Sequence, residues 1–166
     1  MKKICSLLLV ISLLLSLNVT AFAQESENVE SSEFNPSTVC TKFDYTILDA
    51  EGNIIDSGYI DFSSRLTWSN ITISNGQQFT LKPSGSNYFS ASVGTNMRFK
   101  FTLNRQALTA YYIVKHKTGS AIWKGNEASV TGGYLYVVAD ETAGYTGLII
   151  NRSSDPFTIT YAEFSF

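Results

Sequence analysis

Cysteine and histidine are nearly absent from this chain, whose 166 residues include two cysteines and one histidine. Structural zinc sites usually take four Cys or His ligands, and serine or cysteine hydrolases usually need an imidazole base, so neither class fits this composition. The one histidine, His116, lies between Lys115 and Lys117 just before a turn, and these cations oppose its protonation. We therefore interpret His116 as an exposed residue at a strand end, and we predict no catalytic residue, no metal site and no cofactor.

Calcium is the harder ion to exclude, because carboxylates and loop carbonyls are enough to bind it. The turn at Asp49–Asn53 carries two acids, but a plain hairpin turn explains its Gly-Asn pair without any ion. Calcium binding therefore stays open on the sequence alone.

Basic residues are few, and no stretch of them forms a positive stripe that could displace counterions from a nucleic acid. If Lys2 and Lys3 are removed with a signal peptide, ten basic residues face 14 acidic ones, a net charge of about −4. We predict no nucleic-acid partner.

The N-terminus has the pattern of an export signal. Lys2 and Lys3 precede an apolar run that ends in Ala21-Phe22-Ala23, the small-x-small pattern that signal peptidase cleaves. We predict a signal peptide at 1–23, a mature chain without a membrane span, and secretion from a Gram-positive bacterium. The following segment, 24–38, is polar and acidic, so we predict that it is a flexible leader.

A single cysteine would remain after this cleavage, because Cys5 leaves with the signal peptide. Cys40 cannot then form an internal disulfide, and we interpret it as a small packed residue. The alternative is that Cys40, or an open sheet edge, joins chains into an oligomer.

From Val39 onward the apolar residues recur with a period of two, most clearly in Met97–Leu103 and Phe157–Tyr161. Gly, Asn, Ser and Pro clusters separate these runs, and the one candidate for a helical turn is 104–108. The segment Gly144–Thr160 resembles the closing hairpin of many secreted bacterial β-sandwich domains. We predict an all-β fold, a single antiparallel β-sandwich of jelly-roll-like form at 39–166.

The alternation breaks at two places, where we predict a β-bulge or a corner. After Trp68 the apolar set moves to Ile71, and after Tyr161 it moves to Phe164. We expect the second shift to turn Glu163 outward. A buried Glu163 would instead suit the weakest functional alternative, a hydrolase that uses carboxylates.

Aromatic residues are the main resource for binding, since the predicted mature chain keeps 21 of them in 143 residues. Most belong in a core, but Trp123 lies in a short strand between glycine turns, where burial on both faces is less assured. Of the adjacent Tyr111 and Tyr112, one must point away from the core, and the same alternation separates Tyr134 and Tyr136 from Leu135 and Val137. We predict Trp123, Tyr111 and Tyr134 as ligand-binding residues.

These observations predict a secreted, non-catalytic β-sandwich module that binds an extracellular glycan or a cell-surface component. The alternative is a structural protein that associates with itself. An exposed aromatic cluster flanked by polar groups would favour binding, whereas a long uncharged edge strand would favour assembly.

Overall fold

The structure is a computed structural model that describes residues 36–63, 71–117 and 120–166, without the side chains of 120–123. Within these ranges the chain forms ten strands and no helix. No helix of the described chain is therefore long and apolar enough to cross a membrane. The predicted signal peptide, most of the predicted leader and Trp68 lie outside the described residues, so the predicted domain boundaries stay predictions.

Most strands lie where the period-two runs predict them, with some merging, whereas two short strands at 39–40 and 89–91 lie outside the predicted runs. They are β1 Val39–Cys40, β2 Lys42–Leu48, β3 Ile54–Asp61, β4 Ile71–Ile73, β5 Gln78–Pro83, β6 Phe89–Ala91, β7 Asn96–His116, β8 Ser120–Val138, β9 Ala143–Asn151 and β10 Phe157–Ser165.

All strand pairs are antiparallel and belong to one sheet, with the order β1-β10-β7-β9-β5-β2-β3. In addition β4 pairs with β10, β6 with β9 and β8 with β7. The first part of β7, to Leu103, pairs with β10, and its last part, from Thr109, pairs with β9. β7 therefore connects two groups of strands.

The sheet curls so that these two groups face each other across the core. Phe89 of β6 belongs to the β9 group and Phe164 to β10, yet their rings stack at 4.2 Å between centroids with an interplanar angle of 4°. Both rings are buried, as are Phe43, Phe79, Phe99 and Phe101. The predicted all-β, antiparallel fold is confirmed as a curled sheet around an aromatic core.

The predicted helical turn at 104–108 is wrong, because this segment lies inside β7. The pairing of β7 with β8 shifts register between Thr102 and Ala107, so the intervening residues form an irregularity in the strand. A bulge breaks the apolar alternation without ending the strand, which explains why the sequence reads as two separate runs.

Glu163 does not point outward as expected: it is 6% exposed. The register shift in β10 does occur, but between Ile159 and Tyr161, before Glu163. Arg98 Nη2 donates to Glu163 Oε1, and the Tyr161 hydroxyl donates to the other carboxylate oxygen. A buried carboxylate is tolerated when such partners are present, so Glu163 is a paired structural group.

Candidate functional site

Tyr111, one of the predicted binding residues, faces the core and is 4% exposed. Its ring packs edge-on against Phe101 at 4.9 Å, and its hydroxyl accepts a hydrogen bond from Asn126 Nδ2 at 2.9 Å. Burial raises the pKa of Tyr111, the Asn126 hydrogen bond opposes this rise and nearby Tyr134 adds to it. Tyr112 is the more exposed residue of the adjacent pair.

Tyr134 is 58% exposed and lies on the outer face of β8, opposite Lys100 of β7. Its neighbours Leu135 and Val137 are buried, so the predicted alternation of this segment is confirmed. The structure brings Tyr134 close to Tyr111 but leaves only Tyr134 with an accessible ring.

The side chain of Trp123, the third predicted binding residue, lies outside the described residues. Its backbone lies in β8 at a register shift, since Ile122 is opposite Val114 while Lys124 is opposite Ile113. Trp123 and Tyr134 are eleven residues apart along β8, which corresponds to at most about 36 Å in an extended strand. Among the three predicted residues, Tyr134 is the one whose ring the described part of the structure shows to be exposed.

A different aromatic pair, Tyr88 with His116, forms the clearest candidate surface. Tyr88 follows the turn after β5 and is 42% exposed. Its ring lies 4.5 Å from the His116 ring, centroid to centroid, at an interplanar angle of 32°. Tyr88 also lies against Gly144, where a Cβ atom would be only 2.7 Å from Tyr88 Cβ and Cγ, so a glycine is needed there.

The strand ladder brings these residues together. His116 at the end of β7 is opposite Gly144 of β9, and Gly144 is opposite Ser90 of β6, two residues after Tyr88. His116 Nε2 lies 2.9 Å from Thr146 Oγ1. We call Tyr88, His116, Gly144 and Thr146 the Tyr88 platform.

His116 lies at a strand end as predicted, but it is half-buried rather than exposed. Burial lowers its pKa, so the neutral imidazole is favoured at neutral pH. A neutral, hydrogen-bonded ring under Tyr88 supports a stacked surface.

The charged side chains next to His116 in the sequence form ion pairs on the other face of the strand. Lys115 Nζ lies 2.9 Å from Glu141 Oε1 and 3.3 Å from Asp140 Oδ2, and Lys117 Nζ lies 2.5 Å from Glu141 Oε2. These salt bridges hold the pKa of Glu141 below its usual range. Lys115 is opposite the buried Tyr145, and successive side chains of a strand point to opposite faces, so its ion pairs are separate from the Tyr88 platform.

The described residues contain no group of three His, Cys, Asp or Glu side chains that could hold a metal ion. In the turn considered for calcium, the Asp49 carboxylate accepts hydrogen bonds from the Asn53 backbone N–H at 2.8 Å and from Asn53 Nδ2 at 2.9 Å. Turn bonding thus accounts for this carboxylate.

Sequence reasoning did not select Tyr88. The available signal was a tyrosine directly after the turn-forming run Pro83–Asn87, before the apolar Phe89 of the next strand. Such a position is often exposed, but nothing in the sequence shows that His116, 28 residues later, lies beside it.

No protein-family model and no curated protein matches this chain. Several solved chains are similar to it, and two of them contain CBM modules. One holds the CBM22-1 and GH10 modules of an endo-1,4-β-D-xylanase from Clostridium thermocellum, complexed with xylohexaose, at 11% identity and a TM-score of 0.40. The match covers 76% of this chain and 25% of that chain.

The other is the apo form of CBM1 of BiXyn10A, at 12% identity and a TM-score of 0.36, covering 64% of this chain and 95% of that one. Both likenesses are too low to assign a family or a ligand.

Proposed function

We propose that this protein is a secreted, non-catalytic module that binds an extracellular glycan or cell-surface component through the Tyr88 platform. The observation that carries this proposal is an accessible tyrosine ring that stacks on His116, whose imidazole is hydrogen-bonded to Thr146. Pyranose rings have apolar C–H faces that stack on flat aromatic rings, while their hydroxyls need polar partners.

The platform favours binding because its ring is already held in place. Tyr88 packs on Gly144 and on His116, which is itself bonded to Thr146. A ligand that stacks on a fixed ring does not have to order it, and this lowers the entropic cost of binding.

Trp123 and Tyr134 belong to the same proposal as further contacts. The backbone of Trp123 lies in the part of β8 that pairs with the end of β7, and that end carries His116. Tyr134 is exposed but lies farther along β8. An extended polysaccharide would be long enough to contact both.

The carboxylates that a hydrolase would use are engaged in other bonds, which supports a non-catalytic role. Glu163 is bonded to Arg98 and Tyr161, and Glu141 is bonded to two lysines. Secretion, and the jelly-roll-like form of the sandwich, are retained as parts of the proposal.

The test is retention of the mature domain on cell-wall material and on a panel of insoluble polysaccharides. We expect Tyr88→Ala to abolish retention while thermal unfolding changes little, because an exposed ring contributes little to the core. Tyr59→Ala is the matched control, since Tyr59 is 54% exposed on β3 and has no ring partner among the described residues. Equal retention of Tyr88→Ala and the native protein would refute the proposed site.

Trp123→Ala tests the second contact in the same assay. If Trp123 stacks on the ligand, retention falls and stability is kept. If its ring lies in the core, the substitution destabilises the domain by roughly 3 to 5 kcal/mol instead, which unfolding in denaturant would detect.

A further inference from the structure

Several strands of the described chain have only one neighbour, and the two longest of them are β3 and β8. β3 pairs only with β2, and β8 pairs only with β7. The first six residues of β3 are exposed, among them Ile54, Ile55 and Tyr59. β8 has 19 residues, of which only Lys124 and Glu127 are charged. Such edges offer N–H and C=O groups to the strand of another chain.

The register shows which backbone groups of β3 point toward the open edge. Phe62 N–H donates to Thr41 O, so these opposite residues form a hydrogen-bonded pair. Hydrogen-bonded and non-hydrogen-bonded pairs alternate along an antiparallel ladder. Ser57, opposite Thr46 and five pairs further on, is then non-hydrogen-bonded toward β2, and its N–H faces the open edge.

This outward N–H is already occupied. Ser57 N–H donates to Asp56 Oδ1 at 2.8 Å, and Asp56 Oδ2 accepts a hydrogen bond from the Tyr45 hydroxyl at 3.0 Å. The Tyr45 ring reaches Asp56 by lying across Gly58, where a Cβ would be 3.1 Å from Tyr45 Cε1.

The same reasoning applies to β8. Arg152 N–H donates to Leu108 O, so even-numbered β7 residues such as Ala110 form their ladder bonds with β9. Glu127, which is opposite Ala110, is therefore non-hydrogen-bonded toward β7, and its N–H faces the open edge.

This second outward N–H has a closely similar partner. Glu127 N–H donates to Asn126 Oδ1 at 2.9 Å, and Asn126 Nδ2 donates to the Tyr111 hydroxyl at 2.9 Å. The Tyr111 ring lies against Gly133, where a Cβ would be 2.8 Å from its Cζ. At both edges a tyrosine hydroxyl of the neighbouring strand holds an Asp or Asn side chain over an edge N–H.

We infer that Asp56 and Asn126 are edge guards, side chains that occupy the outward N–H of Ser57 and Glu127 and so prevent each edge from pairing with a second copy of this chain. An incoming strand would have to displace the side-chain acceptor or leave its own carbonyl unpaired, and an unpaired buried polar group is costly. Tyr45 and Tyr111 are positioning residues that keep the guards in place.

A second copy is the occupant that the β3 edge fits. A regular antiparallel pairing centred on Ser57 would place Ile55 opposite Tyr59 of the copy and Asp56 opposite Gly58. Aromatic residues opposite β-branched ones stabilise a sheet, and no like charges would meet. This edge is self-complementary except for its guard.

The test is sedimentation velocity of the full mature protein over a range of concentrations, with Cys40→Ser as background. We expect the native protein to stay monomeric. Asp56→Ala and Asn126→Ala should each raise the weight-average mass about twofold, as for a dimer with two-fold symmetry. Asp155→Ala and Asn75→Ala are matched controls at exposed positions that pair with neither β3 nor β8.

Asp56→Lys separates edge pairing from general loss of solubility. It removes the same carboxylate but puts a cation on the edge, which opposes strand pairing, so it should stay monomeric. Asp56→Ala or Asn126→Ala remaining monomeric while folded would overturn the inference for that edge. Equal association of Asp56→Ala and Asp56→Lys would overturn it for β3.

Discussion

The two edge strands, β3 and β8, carry the same arrangement of tyrosine, guard and outward N–H, but the surroundings differ. At β3 the guard is a carboxylate, and Tyr45 is half-buried at the rim of the sheet. At β8 the guard is a neutral amide, and Tyr111 is a core residue. The comparison shows that the tyrosine that holds a guard can be buried in the core or only packed against the core from the rim.

The largest expected difference between the two edges is the loss of stability when Tyr111 or Tyr45 is replaced by alanine. Tyr111→Ala removes a buried ring and should cost roughly 3 to 5 kcal/mol of stability, whereas Tyr45→Ala should cost clearly less because part of that ring is solvated. Urea unfolding of both variants gives the comparison. Equal losses would mean that the edges do not differ in this way.

Alanine substitution of the two glycines that lie against these rings, Gly133 and Gly58, should cost stability in the same order. A Cβ at Gly133 would lie 2.8 Å from the buried Tyr111 ring, so Gly133→Ala should cost about 1 to 3 kcal/mol. Gly58→Ala meets the tip of the Tyr45 ring at 3.1 Å, and that ring is only half-buried, so we expect a smaller loss. Thermal unfolding of the two variants checks the order.

Alkaline pH should affect the two guards, Asp56 and Asn126, differently. Burial first, and then the bond to Asp56, raise the pKa of Tyr45. A raised tyrosine pKa gives stability that is complete below the unfolded value of about 10 and is lost as pH rises through the folded value. Ionised Tyr45 would repel Asp56, whereas ionised Tyr111 could still accept from Asn126.

We therefore expect the native protein to associate through β3 once the pH rises past the raised pKa of Tyr45, which lies above the ordinary value of about 10, while β8 stays guarded. Sedimentation between neutral and alkaline pH tests this. Because burial and a bond to Glu163 raise the pKa of Tyr161 to about 12, general alkaline unfolding is monitored separately by circular dichroism. Association that Asp56→Lys does not suppress would contradict the expectation.

The smallest expected effect concerns Cys40, the other predicted means of joining chains. Its Sγ lies 3.2 Å from Lys42 O, and burial raises the pKa of the thiol. A neutral, partly covered thiol reacts slowly, so a thiol reagent should label it slowly in native buffer and rapidly in denaturant. A reducible dimer on a non-reducing gel would show instead that Cys40, and not a sheet edge, joins two chains.

The sequence predicted the structure well where the secondary structure and the facing of a side chain depend on its immediate neighbours. Alternation correctly predicted most strands and also predicted that Tyr134 faces the opposite side from Leu135 and Val137, but it left open which side is buried. It failed at the irregular part of β7 and at Glu163, because a bulge changes which face a residue takes. The Tyr88 platform and both edge guards depend on which strands are neighbours, and long-range pairing leaves no local signal in the sequence.

The last strand, β10, pairs with β7, with β4 and with β1, whose residues come as much as 126 positions earlier, as in Val39 with Ser165. Bringing together residues so far apart in the sequence costs chain entropy before any favourable contact forms, so folding should be slow. The strand that joins these elements is also among the last of them to be synthesised. A chain from which β10 is missing therefore cannot form any of these three pairings.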